Sequence, residues 1–123
     1  MAIELCYNQI NTLHNNLTIR CKDFRDNCKN KIILDFDATS FKLSTKARVE
    51  YDNNYILKHF ILFLKENKIY LTKQLDSSLE MSIYIWSHNA SDTPQIDFDS
   101  STLALLGEIK LNLSIVIYTY DPN

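Results

Sequence analysis

From Phe41 to Tyr51 the chain alternates as a half-buried strand must. Phe41, Leu43, Ala47, Val49 and Tyr51 fall on one side, and Lys42, Ser44, Lys46, Arg48 and Glu50 on the other. Directly afterwards the period changes. Ile56, Leu57, Phe60, Ile61, Phe63 and Leu64 form one broad apolar helical face. Asp52-Asn53-Asn54 supplies side-chain oxygens able to cap its first free N–H groups. Lys65 and Lys68 complement the dipole near its end, and Asn67 suits a left-handed cap. A strand with one wet face followed by a helix with one apolar face calls for a sheet covered by helices on one side.

The remaining segments extend this outline. Leu17-Thr18-Ile19-Arg20-Cys21-Lys22 alternates and reads as a strand, as does the apolar run within Lys31 to Asp37. Glu80 to Trp86 reads as a further strand, and Ser87 to Pro94 as a loop. Asp99 or Ser100 caps a short helix carrying Leu103, Leu105 and Leu106, which Gly107 terminates. A last strand places Ile109, Leu111, Leu113, Ile115 and Ile117 opposite Lys110, Asn112, Ser114, Val116 and Tyr118, and Asp121-Pro122 stops it. In the first sixteen residues Ile3, Cys6, Ile10 and Leu13 keep helical spacing, while Ile3 to Tyr7 also alternates; helix is the preferred reading. The expected fold is α+β, a single mostly antiparallel sheet with two or three helices packed on it, in one domain spanning 1–123.

Composition narrows the function. Gly107 is the only glycine, so neither GxGxxG nor GxxxxGK[ST] phosphate loops can be written. A formal net charge of −2 argues against direct nucleic-acid binding, which draws on a basic excess. The first residues lack a basic region and a long apolar run, and the longest apolar stretch, Ile56 to Leu64, is too short for a bilayer. Three cysteines, Cys6, Cys21 and Cys28, show no CxxC spacing. A cytoplasmic protein with reduced thiols, no membrane segment and no cofactor is expected.

The sharpest local motif is Ile32-Ile33-Leu34-Asp35-Phe36-Asp37-Ala38-Thr39. An apolar strand delivering DxDxT resembles the first motif of haloacid-dehalogenase-type phosphotransferases. That resemblance implies Asp35 as nucleophile and Asp37 as general acid/base, both on one strand face beside a Mg²⁺-bound phosphate. The chain departs from the family in lacking any Asp-Asp pair and in continuing as a strand from Phe41. Moreover, Leu34-Asp35-Phe36-Asp37-Ala38-Thr39-Ser40 nearly repeats as Ile96-Asp97-Phe98-Asp99-Ser100-Ser101-Thr102, where acids and hydroxyls serve as helix caps. Local structure is the simpler reading of both copies. The histidines, His14, His59 and His88, are too far apart for metal-ligand spacing, and His59 reads as a core-boundary residue, so no metal site is expected.

Two features point to a protein partner. Tyr84 and Trp86 share a strand face opposite Met81, Ile83 and Ile85, and Tyr118 and Tyr120 lie opposite Ile115 and Ile117. Both faces cannot be equally buried in a two-layer domain: either helices cover both sides and the aromatics pack under one, or one face presents Tyr and Trp to a partner, as interfaces favour. Charge is also uneven. Residues 1–49 carry eight Lys/Arg against five Asp/Glu, and residues 50–123 carry five against ten. An acidic surface attracts a basic protein.

The unit Ile96-Asp97-Phe98-Asp99, Leu103, Leu106-Gly107 and Ile115-Val116-Ile117-Tyr118 resembles the C-terminal half of an uncharacterised bacterial domain family with a helix–strand pair on one sheet. In size, acidity and Asn-, Ile- and Lys-rich composition the chain resembles small bacterial immunity proteins of contact-dependent growth-inhibition systems. That resemblance implies stoichiometric occlusion of a toxin, with a basic nuclease (RNase) domain as the expected target. It carries over no individual residue. Asp35, Asp37, Tyr84, Trp86, Asp97, Asp99 and Tyr118 are the expected contacts. A Mg²⁺-dependent phosphotransferase or phosphatase and a non-catalytic regulatory module are the alternatives.

Overall fold

The computed structural model describes residues 1–8, 15–29, 31–46, 53–72, 78–87 and 96–119. In chain order these form β1 (Ala2–Asn8), α1 (Asn15–Asn27), β2 (Ile32–Phe36), β3 (Ser40–Thr45), α2 (Asn53–Glu66), α3 (Lys68–Thr72), β4 (Ser78–Ser87), α4 (Ser100–Glu108) and β5 (Leu111–Thr119). The strands join one sheet in the order β2-β3-β1-β4-β5. Neighbours are antiparallel except β4 and β5, which run parallel. A parallel neighbour needs a crossover, and α4 is part of the connection that supplies it. The expected α+β class and the mostly antiparallel sheet are found; α3, a five-residue helix, adds a fourth helix to the three longer ones.

The core lies on one face of the sheet. Ile3, Leu5 and Tyr7 of β1, Phe41 and Leu43 of β3, and Leu79, Met81, Ile83 and Ile85 of β4 are buried there. From above, α2 contributes Ile56, Leu57, Phe60, Phe63 and Leu64, the apolar face expected of it, and α1 contributes Leu17, Cys21 and Phe24. Aromatic rings bind the layers together. Tyr7 stacks on Phe41 (5.4 Å), Phe41 meets Phe63 edge-on (6.3 Å), and Phe24 contacts Phe63 (5.0 Å) and Phe60 (5.2 Å). Each such pair is worth roughly 0.5–1.5 kcal/mol beyond its burial. Burial pushes the Cys21 thiol up to about 12, so this sulfur serves as a packing atom and not as a nucleophile.

Several sequence expectations are corrected. The N-terminus is not a helix as far as Asn8: it is the central strand β1, and the alternation of Ile3, Leu5 and Tyr7 prevails over the helical spacing. Residues 9–14, with Ile10, Leu13 and His14, lie outside the described residues. The stretch Leu17–Lys22 is helix, not strand. Its decisive spacing is Leu17, Cys21, Phe24, Cys28, all buried and four, three and four residues apart, whereas Ile19, which carried the apparent alternation, is exposed.

Asn67 is no left-handed cap. It is buried at the junction of α2 and α3, its Nδ2 donates to the Phe63 carbonyl (2.7 Å), and its own carbonyl accepts from Tyr70 and Leu71. Lys68 consequently opens α3 instead of closing α2. Gly107 does not terminate α4, which runs on to Glu108; the left-handed residue that turns the chain into β5 is Lys110, at φ 54°. Of the long alternation to Tyr51, β3 covers the part up to Thr45, and residues 47–52 lie outside the described residues.

Candidate partner-binding face

Among the described residues no helix covers the second face of the sheet. Strand alternation places Ile33 and Asp35 of β2, Ser40, Lys42 and Ser44 of β3, and Ala2, Glu4, Cys6 and Asn8 of β1 on it. Beyond them lie Ser82, Tyr84 and Trp86 of β4, and Ser114, Val116 and Tyr118 of β5. None of these residues is buried. The cross-strand register divides this face in two. One row runs Asp35, Lys42, Cys6, Glu80, Asn112, and the next Ile33, Ser44, Glu4, Ser82, Ser114. These rows are polar, and the Lys42 ammonium reaches Glu4 at 3.4 Å. That carboxylate, with Asp35 a lesser contributor, holds the Lys42 ammonium above its ordinary value.

Beyond them the face turns aromatic. Tyr84 pairs with Val116, and Trp86 with Tyr118, across the parallel ladder. The rings of Trp86 and Tyr118 stack at 5.4 Å and 16°, Tyr84 and Tyr118 at 6.5 Å and 17°, and Tyr84 and Trp86 lie 6.5 Å apart. Tyr118 is 45% and Val116 36% exposed. Tyr84, Trp86 and Tyr118 thus form a cluster of mutually contacting rings, two pairs stacked and one tilted by 32°, held by two neighbouring strands. Rings already in contact lose little rotamer freedom when a partner covers them. This is the part of the expected contact set that comes together; Tyr120 lies outside the described residues.

The four aspartates do not join it. Asp35 is on the same face but three strands away and at the other end. That separation is roughly 25 Å from Trp86, taking about 3.3 Å per residue and 4.8 Å per strand. Asp37 leaves the sheet for the β2–β3 turn. Its Oδ1 accepts from the backbone N–H groups of Thr39 (2.8 Å) and Ser40 (2.9 Å), and from both hydroxyls (3.1 Å). Asp99 is the N-cap of α4, accepting from Thr102 N (2.7 Å) and Ser101 Oγ (2.9 Å). The two copies of the repeated motif therefore do the same local work. In each, the second Asp gathers a hydroxyl two residues on and an N–H three residues on.

Asp99 faces the helical layer, on a groove of about 580 Å³ shared with Leu62, Lys65, Lys68 and Glu108, where Lys68 and Glu108 are ion-paired. Asp97 is exposed between Ile96 and Phe98, which pack on the core. Acidity near α4 is thus offset by lysines and set apart from the aromatic platform.

Hydrogen bonds from Thr102 and Ser101 hold the Asp99 carboxyl below the usual carboxylate range. A depressed folded pKa contributes stability above the unfolded value of roughly 3.9, lost as pH falls through the folded pKa. Asp99→Ala should therefore lower the melting temperature at pH 7, and thermal melts should show that gap closing below about pH 4.

Two members of the site escaped sequence reasoning. Val116 joins the platform only through the β4–β5 register, which no local pattern reveals. Glu80, exposed on the same strand as Tyr84 and Trp86, lies about 13 Å from Tyr84 and is the acid of this face nearest it on β4. The haloacid-dehalogenase-like reading gains nothing from the geometry. β2 enters an antiparallel hairpin, where that family has a helix, and the Asp37 carboxylate is occupied by its turn. Among the described residues no three His, Cys, Asp or Glu side chains come together as metal ligands. His59 is half-buried on α2 against Tyr55 (4.4 Å), and His88 lies outside the described residues. Among the described residues no helix is long and apolar enough to cross a membrane. Set against known proteins, the chain matches no family model, no curated protein and no solved structure.

Proposed function

We propose that this chain is an immunity protein that binds a cognate bacterial toxin and neutralises it by covering the toxin's active site. Tyr84, Trp86 and Tyr118 form the centre of the contact. The observation that carries this reading is the stacked platform on a sheet face that no helix of the described residues covers. A solvated face has no need of a tryptophan and two tyrosines in mutual contact, whereas a partner-binding face uses such anchors for most of its energy. Glu80 and Asp35 give the same face exposed carboxylates. These suit a basic partner such as a nuclease domain, and steer its approach more than they add affinity. The binding takes place in the cytoplasm and involves no nucleic acid directly.

The test is capture of the toxin domain encoded by the neighbouring upstream reading frame. Stoichiometric binding at nanomolar affinity, with loss of toxin activity, is expected; a pair that fails to bind sinks the proposal. Hydrolysis of a phosphate ester that requires Mg²⁺ and disappears in Asp35→Asn would replace it with the phosphotransferase reading.

A further inference from the structure

The sheet ends differently at its two edges. At one edge, β2 carries Asp35, is flanked by Lys31 and Asp37, and is crossed by the Lys22 ammonium over Phe36 (5.1 Å). Charges of this kind discourage another strand from pairing there. At the other edge, β5 pairs only with β4 among the described residues, and its nine residues, Leu111 to Thr119, include no charge, no proline and no glycine. Its C-terminal half is apolar on both faces. Ile115 and Ile117, on the helix side, are 45% and 55% exposed, and Val116 and Tyr118 continue this on the platform side. An edge strand that long with no blocking device invites another strand to pair with it.

We infer that a second copy of this chain pairs with β5, antiparallel about a two-fold axis near Val116, making one continuous ten-stranded sheet. Self-pairing suits this strand on two counts. It brings no like charges together, because the strand has none. About that axis Ile115 meets Ile117 of the other copy on the helix side, while Val116 meets its equivalent and Tyr118 meets Ser114 on the open side. The exposed apolar residues of each copy are thus what the other copy covers.

Seven paired residues make a ladder about 23 Å long, and side chains on both faces make it about 15 Å deep. The area removed from water is therefore on the order of 700 Å² over both copies, short of the roughly 1,200 Å² of a stable interface. The pair therefore exchanges, and its population depends on concentration. The seam reaches Val116 and Tyr118 of β5 but not Tyr84 and Trp86, which lie one strand further in, and the inference does not rest on the proposed toxin contact.

Sedimentation velocity on the full chain, from about 1 to about 500 µM, tests the inference. The sedimentation coefficient should rise from the monomer to the dimer value across that range. Ile117→Lys should weaken the pair by about tenfold or more, because each copy loses a buried isoleucine contact. Ser114→Lys, at an exposed position whose replacement removes nothing from the core, should act in the same direction with an unchanged far-UV spectrum. Ile33→Lys, on the β2 edge, should leave the pair intact. A wild-type chain that stays monomeric throughout, a dimer that survives both β5 variants, or a dimer lost through Ile33→Lys overturns the inference.

Discussion

Phe60→Ala is expected to destabilise the protein by about 3–5 kcal/mol, the largest loss anticipated from any single truncation of α2. Phe60 is fully buried, and its ring meets Phe24 at 5.2 Å, so it bridges α2 and α1 above the sheet. Truncation removes the transfer energy of the ring and leaves a cavity that two helices pinned to a sheet cannot easily close. Since folded domains typically hold only about 5–15 kcal/mol, the melting temperature should fall by on the order of 10–20 °C. Leu62→Ala provides the contrast. Leu62 lies two residues on but is 48% exposed, and its truncation should change stability by roughly 0.5 kcal/mol or less. Thermal and urea melts of the two variants check this. Equal losses would mean that α2 does not bury the face described.

The second large effect is on binding. Trp86→Ala should weaken capture of the toxin domain by about 2–4 kcal/mol, that is, roughly 30- to 1,000-fold, with the far-UV spectrum retained. The indole is half-buried and stacked on Tyr118, so removing it takes away one of the three contacting rings and frees the other two to move. Asp97→Lys, at an exposed position just before α4, should cost far less, and what it does cost should fade as salt is raised. Titration calorimetry with the two variants separates these contributions. A larger loss from Asp97→Lys than from Trp86→Ala would move the contact to the helical layer.

The elements legible in the sequence were those whose pattern is local. The α2 face, the alternation of β3, β4 and β5, and the cap at Asp99 each follow from neighbours a few residues apart. Even the placement of Tyr84 and Trp86 opposite Met81, Ile83 and Ile85 needed only the period of a strand. The errors lay where two periods fit one stretch. Leu17, Ile19 and Cys21 alternate, yet Phe24 and Cys28 settle that stretch as a helix. In β1 the choice was decided from outside, by β3 and β4 flanking it in register. The site was legible only in part for the same reason. That Tyr118 stacks on Trp86 follows from the parallel pairing of β4 with β5, and that Asp99 faces the helical layer follows from the side on which α4 crosses. Neither is written in the segments themselves.

Trp86 is the only tryptophan in the chain, so its fluorescence reports on the platform without any label. Titrating the toxin domain into the wild-type protein should shift its emission to the blue and protect it from acrylamide quenching, saturating at one toxin per chain. Capture of the toxin with neither change in emission nor protection would contradict a contact centred on Tyr84, Trp86 and Tyr118.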